Sequence, residues 1–473
     1  MRSEVKKSII HFLLSDFITA ALSWIIFLVY RKNTNAALSF QEIISKFTIK
    51  EWQIIIIVIP IFWLIVYLFS GTYYNPYRKS RITEIYRTLI SSMLGCIIIY
   101  FFIFLNDLTD EPTYYYKTFV NYLIVHFFIT LLGRIIVLQQ VKKNINSGKF
   151  SYASLMIGGN AEAIKVYKGI INNEIELGYD FKGFVYADES GNNGMSKFLP
   201  KLGSINELEK IIDSHKIEEV IIAVDSSEHN KLEDILAQLS HRQVIMKITP
   251  DLYDIISGSV RTSNLFAAIL IEIYPELMPD WQRVLKRAID ISLSALVILF
   301  LLPLYIFAAI KVMLSGKGTI IFKQERIGLY GKPFWIYKFR SMIENAEANG
   351  PALSSEDDKR ITAWGKFMRK WRIDEIPQFY NILKGDMSLV GPRPERQHFI
   401  DLICKTHPHY RYLHKVKPGL TSWGMVKFGY AENINEMIER MKYDLLYIKN
   451  CSLVLDIKIM IYTILVILQG RGK

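Results

Sequence analysis

Long apolar runs dominate the first third of the chain, and four of them predict membrane helices. Each run is close to the ~20 residues that a helix needs to cross ~30 Å of hydrocarbon. No small-residue cleavage site follows the first run, so we interpret it as a membrane span and not as a signal peptide. We therefore predict a four-helix transmembrane bundle within residues 1–145, with spans at 9–30, 53–70, 89–105 and 120–138.

Charged residues between these runs predict the orientation of the bundle. Basic residues precede the first span, separate the second from the third and follow the fourth, whereas the loop after the third is acidic. This pattern places both ends of the bundle in the cytoplasm, although the cations within 31–50 argue mildly against it. Asp16 and His126 lie inside spans, where polar side chains are either functional or packed against partners. The sequence leaves both interpretations open.

The middle segment, 146–273, alternates short apolar runs with amphipathic stretches. Such alternation predicts a parallel sheet covered by helices, an α/β domain of Rossmann type. Strands are expected at 154–157, 183–186, 220–224 and 244–248, helices at 161–171, 205–214 and 231–240, and a polar loop at 190–197. In the first strand-to-helix turn, Asn160 and Ala163 replace two glycines of the dinucleotide fingerprint, so the Rossmann-like domain is degenerate. It either binds a nucleotide or has a structural or regulatory role.

The C-terminal segment, 274–473, contains a different kind of apolar run. Residues 291–310 are long enough to cross a membrane, but Pro303 interrupts them, and proline bends a helix. A crossing here would carry the highly charged remainder to the outer side. We therefore predict a re-entrant helix that bends near Pro303 and returns to the cytoplasmic face, with a plain fifth span as the alternative. Its cations at the level of the lipid phosphates would be Lys286, Arg287 and Lys311.

A last apolar run, 452–468, is expected to lie on or dip into the membrane surface, with a final crossing as the alternative. The chain is 51% hydrophobic and carries a net charge of +12. A basic chain suits nucleic acid, anionic lipid or a phosphate-bearing substrate, and the apolar runs favour the last two. The three cysteines are far apart, show no metal-ligand spacing and fit a reducing compartment.

Two adjacent carboxylates, Asp374 and Glu375, are the strongest candidates for chemistry. One carboxylate of such a pair can bind a divalent metal while the other attacks phosphorus. An isolated Asp-Glu pair on a helix is usually structural, and residues 361–380 do look helical, with an interruption at Pro377. The turn that follows favours a catalytic role for the pair, because prolines on both sides of Arg393 restrict its backbone and can aim its guanidinium at a phosphate.

Basic residues are also grouped upstream of this pair. Alternating positions around Phe334 and Ile336 predict a short strand or hairpin in the segment that carries Arg326, Lys338 and Arg340. For any one of these cations a solvated face is the simpler explanation. Their grouping favours a phosphate site.

Several motifs follow one another from residue 281 to the C-terminus. They are Lys286-Arg287, the pattern of Gln324, Arg326 and Gly328, KFRSM at 338–342, RIDEIPQ at 372–378, DMSLVGPRPE at 386–395, KPGLTSW at 417–423 and YDLLYIKN at 443–450. As a set they resemble the bacterial polyprenyl-phosphate sugar-phosphate transferases, also called monotopic phosphoglycosyl transferases. The four spans and the degenerate Rossmann-like domain look like the long form of that family. The sequence departs from the family pattern at Leu302, Ser422 and Cys451.

The resemblance implies a monotopic catalytic domain and a two-step transfer at the membrane. Asp374 would attack the β-phosphorus of a UDP-sugar, expel UMP and hold the sugar phosphate, which polyprenyl (undecaprenyl) phosphate would then accept. Glu375, together with Asp374, would bind Mg²⁺. The predicted substrate-binding cations are Lys286, Arg287, Arg326, Lys338, Arg340 and Arg393.

The same resemblance implies a location and a set of partners. The enzyme would act on the cytoplasmic face of the bacterial inner membrane and start the assembly of exopolysaccharide, capsule or O-antigen. Its partners would be the UDP-sugar, the lipid phosphate and the bilayer, without nucleic acid, and a homodimer and a monomer both stay open. The sequence does not name the sugar.

Two other functions fit parts of the chain. A membrane-bound NAD-dependent sugar-nucleotide dehydratase or epimerase would also combine spans with a Rossmann fold, but it needs an intact glycine fingerprint and a Tyr-x-x-x-Lys pair. Tyr380 and Lys384 have that spacing yet lie outside the Rossmann-like segment. A non-enzymatic receptor with a nucleotide-sensing middle domain would leave the cluster at 374–395 unexplained. Cofactor titration tests the first alternative, and UMP release from a UDP-sugar tests the second.

Overall fold

The computed structural model describes residues 3–33, 48–102, 112–172, 178–186, 194–224, 229–239, 242, 244–249, 270–273, 277–344, 346, 350, 358–429 and 431–469. Two of the loops that predicted the orientation of the bundle, 34–47 and 103–111, lie outside these residues, as does the first half of the polar loop predicted at 190–197. The chain divides into two compact units. The first is mainly Met1–Ser151, and the second is mainly Tyr152–Ile175, Tyr179–Gln282 and Lys286–Lys473.

The first unit is a bundle of apolar helices. Their bounds are Ser3–Asn33 (α1), Ile49–Gln53 (α2), Ile59–Phe69 (α3), Arg81–Phe102 (α4) and Pro112–Asn146 (α5), and a π-helical turn, Ile54–Val58, joins α2 to α3. Helix α5 packs against both α1 and α4. On α1, the outward side chains Ile10, Leu14 and Ile18 recur every four residues and are 53–61% exposed. An apolar outer face of this kind is typical of helices that contact lipid.

Three helical segments among the described residues are long and apolar enough to cross a membrane by length and composition: Ser3–Arg31, Arg81–Phe102 and Thr113–Asn146. The prediction of a fourth span at 53–70 is wrong by this measure. Its apolar stretch is Ile54–Phe69. Sixteen residues at about 1.5 Å each reach roughly 24 Å, which is short of the ~30 Å hydrocarbon core.

Both polar residues predicted inside spans are buried and have partners. Asp16 accepts hydrogen bonds of 2.8 and 3.0 Å from the guanidinium of Arg134. The two ring nitrogens of His126 lie 2.8 Å from Ser23 Oγ and 2.6 Å from Tyr67 Oη. These contacts favour the packing interpretation over a functional one.

The second unit begins with a six-stranded sheet. Its strands are Tyr152–Ile157 (β1), Tyr179–Tyr186 (β2), Lys201–Ser204 (β3), Glu219–Ile222 (β4), Ile245–Ile248 (β5) and Ile271–Ile273 (β6), and its helices are Ala161–Asn172 (α6), Leu208–His215 (α7) and His229–Leu239 (α8). The order is β3-β2-β1-β4-β5-β6, with only β6 antiparallel among these strands. The predicted strands and helices are confirmed. Strands β3 and β6 escaped prediction because β3, with the sequence KLGS, has a single large apolar residue and β6 has only three residues.

The broken glycine fingerprint is used for packing. A Cβ on Gly158 would lie 2.3 Å from the carbonyl oxygen of Ala223, and a Cβ on Gly159 would lie 2.5 Å from the ring of Tyr186. Asn160 Oδ1 accepts a hydrogen bond from Ala163 N and so caps the start of α6. The glycines admit neighbouring protein atoms at the place where a dinucleotide-binding turn would admit a pyrophosphate.

The C-terminal part surrounds a separate core with small elements. Its bounds are Asp280–Phe300 (α9), Leu302–Leu314 (α10), Ile321–Ile327 (β7), Pro333–Phe339 (β8), Ala363–Lys370 (α11), Gln378–Lys384 (α12), Ser388–Val390 (β9), Gln397–Cys404 (α13), Gly419–Thr421 (β10), Trp423–Lys427 (α14), Ile434–Lys449 (α15) and Leu453–Leu468 (α16). Strands β7 and β8 form the predicted hairpin, and β9 pairs in parallel with β10. Val390, Ile403 and Tyr447 are among the buried residues of this core.

Helices α9 and α10 form a bent pair with an angle of 64° between them. The break falls at Leu301, and Pro303 is the second residue of α10. A proline is tolerated in the first turn of a helix, because its missing N–H would have no partner there. The predicted bend near Pro303 is confirmed, and the re-entrant path through a bilayer stays a prediction. Helix α16 is 16 residues long, below the length of the candidate spans.

Candidate active site

The two candidate carboxylates lie on a short 3₁₀ turn, Ile373–Glu375, between α11 and α12. Arg372, just before the turn, has a left-handed backbone with φ of 57°, and this residue separates the turn from α11. A non-glycine residue with positive φ is uncommon, and such strain is found most often at functional sites. The predicted interruption of the helix is confirmed but begins earlier than Pro377: α11 ends at Lys370, and α12 begins at Gln378, directly after Pro377.

Glu375 is held by three cations. Lys338 Nζ lies 3.0 Å from its Oε1, Arg393 Nη2 lies 3.4 Å from the same oxygen, and Arg372 Nη1 lies 3.4 Å from Oε2. Burial opposes ionisation, but Lys338 and then the two arginines outweigh it and lower the pKa of Glu375. The three cationic side chains keep 15–18% of their surface exposed, so an anionic ligand can reach them.

Asp374 has a different environment, although it is the next residue. Its Oδ1 is buried and has no hydrogen-bond partner among the described residues. Burial and then the negative charge of Glu375 raise the pKa of Asp374, against the opposing effects of Lys338 and Arg369. A buried acceptor without a partner costs about 1–3 kcal/mol and calls for an explanation such as catalysis or a bound ion. Asp374 therefore has the surroundings of a reactive group.

Lys338 reaches the site on strand β8, and α12 holds this strand in place. Asn381 of α12 donates from Nδ2 to the carbonyl of Trp335, at 2.7 Å, and accepts from the N–H of Tyr337, at 3.1 Å. Asn381 is fully buried. The helix that follows the two carboxylates is thereby fixed to the strand that carries their principal cation.

Arg393 reaches the site on a tight turn after β9. The N–H of Gly419 donates to the carbonyl of Pro392, at 2.9 Å. A Cβ on Gly391 would lie 2.2 Å from the carbonyl oxygen of Lys417, so only glycine permits this close approach of the two chains. The turn is therefore tightly packed against β10, and its arginine starts from a restricted backbone.

Arg326, a predicted substrate-binding residue, holds the other end of this turn. Its guanidinium donates to the carbonyl of Pro394, at 3.1 Å, and to Glu395 Oε2, at 2.8 Å. Arg440 donates to Glu395 Oε1, at 2.8 Å. The buried Glu395 thus links two arginines directly behind Arg393.

Two more predicted cations bind protein carbonyls. Lys286 Nζ donates to the carbonyl of Val390, at 3.0 Å, and also pairs with Asp456. Arg287 donates to two carbonyls at the end of α12, at 2.7 and 2.9 Å. Both side chains lie on α9, so this helix is bonded to the elements that follow Asp374 and precede Arg393.

Arg340 is also bonded to protein carbonyls, those of Val312, Gly316 and Lys317 at the end of α10, at 2.6–3.0 Å. The structure therefore brings Lys338 and Arg393 to the carboxylate pair. The other four predicted cations instead bind backbone carbonyls: Lys286, Arg287, Arg326 and Arg340.

The carboxylate pair suits Mg²⁺ in its chemistry. The described residues contain no group of three or more His, Cys, Asp or Glu side chains that could hold a metal. Mg²⁺ is commonly bound by one or two carboxylates together with phosphate oxygens of a substrate. The unpartnered oxygen of Asp374 fits an ion that is shared with a phosphate ligand, and Glu375 would join it by exchanging one of its three cations for the metal.

Sequence reasoning missed the residues that hold the site together: Asp290, Asn381, Glu395, Arg440 and Asp456. Asp290 Oδ1 accepts a hydrogen bond from the N–H of Leu389, at 3.0 Å. One signal was available for Asp290 and Asp456, since Asp290 directly precedes the apolar run 291–310 and Asp456 lies in the first turn of the apolar helix α16. Such residues usually have a partner or a function.

Comparisons with known proteins agree with this geometry. Residues 281–470 match the family model of bacterial sugar transferases, and residues 68–250 match a model described as a CoA-binding domain. The undecaprenyl-phosphate galactose phosphotransferase of Salmonella typhimurium is 31% identical over 345 residues, which cover 69% of this chain and 70% of that protein. The chain belongs to the bacterial sugar transferase family. Both carboxylates, Lys338 and Arg393 lie within the part that this family model covers.

Two further relatives match this bacterial sugar transferase over shorter stretches. The UDP-N-acetylgalactosamine-undecaprenyl-phosphate N-acetylgalactosaminephosphotransferase of Aeromonas hydrophila is 44% identical over 188 residues, 40% of this chain and 44% of that protein. The UDP-glucose:undecaprenyl-phosphate glucose-1-phosphate transferase of Escherichia coli is 30% identical over 310 residues, 65% and 66% of the two chains. The matched parts thus span 44% and 66% of these two relatives.

Proposed function

We propose that this protein transfers a sugar 1-phosphate from a UDP-sugar to undecaprenyl phosphate at a membrane surface. Its relatives are named for such transfers. The observation that carries the proposal is a buried, unpartnered oxygen on Asp374 beside a Glu375 held by Lys338, Arg372 and Arg393. An unpaired acid next to partly exposed cations suits a substrate with two phosphates, because those cations can stabilise the charge that develops on phosphate oxygens.

The proposed chemistry has two steps through one covalent intermediate. In the first, a carboxylate oxygen of Asp374 forms a bond to the β-phosphorus of the UDP-sugar. The bond from that phosphorus to the bridging oxygen breaks, and this oxygen leaves with the electron pair as part of UMP. In the second, an oxygen of undecaprenyl phosphate attacks the same phosphorus, which forms the diphosphate and releases the carboxylate of Asp374. No oxidant or reductant is needed.

The other side chains bind the substrate and control its charge. Mg²⁺ held by Asp374 and Glu375 would neutralise phosphate charge. Lys338 keeps Glu375 ionised, and Arg393 is exposed enough to engage a phosphate of the donor with its planar guanidinium. The backbone on both sides of Arg393 is held, so little freedom is lost when it binds.

The proposed location is the cytoplasmic face of the bacterial inner membrane. The 64° bend between α9 and α10 supports a re-entrant path, which would keep the charged C-terminal part on the side that supplies nucleotide sugars. The site would then lie where a soluble donor and a lipid phosphate can meet. We further propose that the product begins an exopolysaccharide, capsule or O-antigen.

The NAD-dependent alternative has less support. Tyr380 and Lys384, the pair it would require, lie on α12, inside the part that matches the sugar transferases. Tyr380 is 56% exposed. At the Rossmann-like turn, protein atoms approach the positions where Gly158 and Gly159 would need open space for a cofactor. A direct titration with NAD should therefore show no binding.

The decisive experiment uses Asp374→Asn in the full-length protein in lipid nanodiscs. With a UDP-sugar and no lipid acceptor, the wild type should release UMP and carry a sugar-phosphate adduct on Asp374, measured by intact-protein mass spectrometry. The variant should fold and show neither signal. Turnover at the wild-type rate by Asp374→Asn would remove the assignment. Glu439→Gln, an exposed residue of α15, is the matched control, and a panel of UDP-sugars identifies the donor.

A further inference from the structure

The turn that carries Arg393 is held at three carbonyl oxygens. Two of the donors belong to the C-terminal core: the N–H of Gly419, which binds the carbonyl of Pro392, and Arg326, which binds the carbonyl of Pro394. The third carbonyl, that of Val390, is bound by Lys286 of the apolar helix α9 and by Tyr447 of α15, and Asp456 of the apolar helix α16 accepts from both donors. This third attachment is the one in which the two apolar helices take part.

Three polar side chains meet at the Val390 carbonyl. Lys286 Nζ of α9 donates to it at 3.0 Å, and Tyr447 Oη lies 3.4 Å away. Asp456 of α16 accepts from both donors, from Tyr447 at 2.8 Å and from Lys286 through its other oxygen. Val390, Asp456 and Tyr447 are all at most 3% exposed. Water therefore has little access to these groups, so it does not replace their hydrogen bonds.

Helix α9 also binds the preceding residue of β9. Asp290 Oδ1 accepts from the N–H of Leu389, and Lys286 donates to the carbonyl of Val390. An acceptor and a donor four residues apart on one helix thus bind backbone groups of two neighbouring residues of β9. The position of β9, and of the turn after it, depends on where α9 lies.

We propose that Lys286 and Asp456 are positioning residues that fix the Val390 carbonyl and, through it, aim Arg393 at the donor phosphates. The proposal rests on the proposed function. A plain ion pair would need only the contact between the two charges. The additional hydrogen bond from Lys286 to the Val390 carbonyl links this ion pair to the turn that carries Arg393. Through it, the positions of α9 and α16 affect the candidate active site.

A physical consequence is that Arg393 is correctly placed only when α9 and α16 both lie in the positions that the structure shows. On α16 the side chains that face outward are apolar, and Val454, Ile457 and Ile461 are 47–64% exposed. Asp456 lies on the buried side of the same helix. A shift of either helix would move Lys286 or Asp456 away from the Val390 carbonyl, and a displacement of about 1 Å can lower a rate about 100-fold.

The test compares variants that keep or remove the donor to Val390. Lys286→Met should lower kcat for UMP release about 100-fold. Lys286→Arg keeps a charge and a donor and should retain clearly more activity. The double variant K286M/D456L removes both charges together, so it should keep a Tm close to that of the wild type while its kcat stays as low as that of K286M. Restored kcat in the double variant would overturn the proposal.

A double-mutant cycle with Arg393 tests whether the effect passes through the turn. If Lys286 acts by aiming Arg393, K286M/R393A should be no slower than R393A alone, whereas independent roles would multiply. Multiplied losses, or a wild-type kcat in K286M, would overturn the inference. If K286M does not fold, the comparison of K286R with K286M/D456L still decides, because only K286R retains a donor.

The matched control is the exposed pair of Lys442 and Glu439 on α15, whose side chains are 59% and 53% exposed. K442M and K442M/E439L should leave both kcat and Tm unchanged. Failure of the proposed function is distinguishable, since it would appear as absent UMP release by the wild type with every UDP-sugar. Failure of this inference would appear as an active wild type with an equally active K286M.

Discussion

Two buried groups of charged residues, one in the helix bundle and one at the candidate active site, differ in how completely they are paired. In the bundle, Arg134 binds Asp16 at 2.8 Å and Glu84 at 3.3 Å, and Lys79 lies 3.0 Å from Glu84. All four side chains are at most 5% exposed. Two acids match two bases, and none of them is open to a ligand.

The group around Glu375 also combines buried carboxylates with cations, but its charges are paired differently. One carboxylate has three cations, each partly exposed, while its neighbour Asp374 has a buried oxygen without a partner among the described residues. Burial of charge is common to both groups, so it does not identify a site. The distinguishing feature is Asp374, whose buried Oδ1 has no hydrogen-bond partner among the described residues and lies beside three cations that are 15–18% exposed.

Asp374→Asn is expected to give the largest effect. Loss of the proposed nucleophile should reduce UMP release by about 10⁴-fold or more. The raised pKa of Asp374 means that folding disfavours its ionised form, so a neutral amide should raise Tm at neutral pH. Activity and thermal unfolding measured on one preparation check both parts. A variant that is both inactive and less stable would indicate a structural ion pair like those of the bundle.

Arg134→Met should show the opposite behaviour. Removing the central cation leaves Asp16 and Glu84 with one base between them, which should destabilise the bundle by about 3–5 kcal/mol. UMP release per folded molecule should not change. Thermal unfolding in nanodiscs measures the first effect, and R134M/D16N, which restores the charge balance, should recover part of the loss. A stable but inactive R134M would refute the architectural role.

Asp444 is a further buried carboxylate, and its effect on stability should depend on pH. It is buried, and burial raises its pKa to about 6, against the hydrogen bond from Gly424 and the charge of Arg440. Because the folded state holds this proton more tightly than the unfolded state, stability should fall as pH rises from about 4 to about 6. Two units correspond to about 3 kcal/mol. The change in the free energy of unfolding between the two pH values should therefore differ by this amount between the wild type and D444N, because the other carboxylates titrate in the same way in both proteins.

Much of this arrangement followed from the sequence, and the exceptions have a common cause. The carboxylate pair, Lys338 and Arg393 could be predicted because each lies in a compact motif with recognisable chemistry. The contacts of Lys286 could not, since its partner Asp456 is 170 residues away. Proximity along the chain suggested a phosphate site for every cation in these motifs. Only the fold separates those that face the carboxylates from those that bind backbone carbonyls.

The membrane prediction failed for a related reason. Hydropathy identified the run at 53–70 correctly as apolar, but the apolar part of the helix is shorter than a span. The helical residues are continuous over 49–69, and only Ile54–Phe69 forms the apolar helix. The bend between α9 and α10 was predictable, because a proline inside an apolar run has a direct effect on helix geometry.

Glu375→Gln should have an intermediate effect. The amide keeps the shape of the side chain but removes the charge that holds Lys338, Arg372 and Arg393 together. We expect kcat to fall about 100-fold, as is typical when one electrostatic contact of an active site is lost. The Mg²⁺ concentration for half-maximal activity should rise. An unchanged Mg²⁺ titration would contradict the metal-binding role of Glu375.

The smallest effect is expected where the charges are exposed. Arg411 Nη1 lies 3.4 Å from Glu209 Oε1, and Arg242 Nη2 lies 3.2 Å from the other oxygen. These side chains are 28–40% exposed, so water and salt screen them, and R411M should change the free energy of unfolding by at most about 1 kcal/mol. Denaturant titration at low and high salt measures the change. A loss as large as that of R134M would mean that exposure does not decide the strength of these ion pairs, and the contrast between paired and open clusters would need another physical basis.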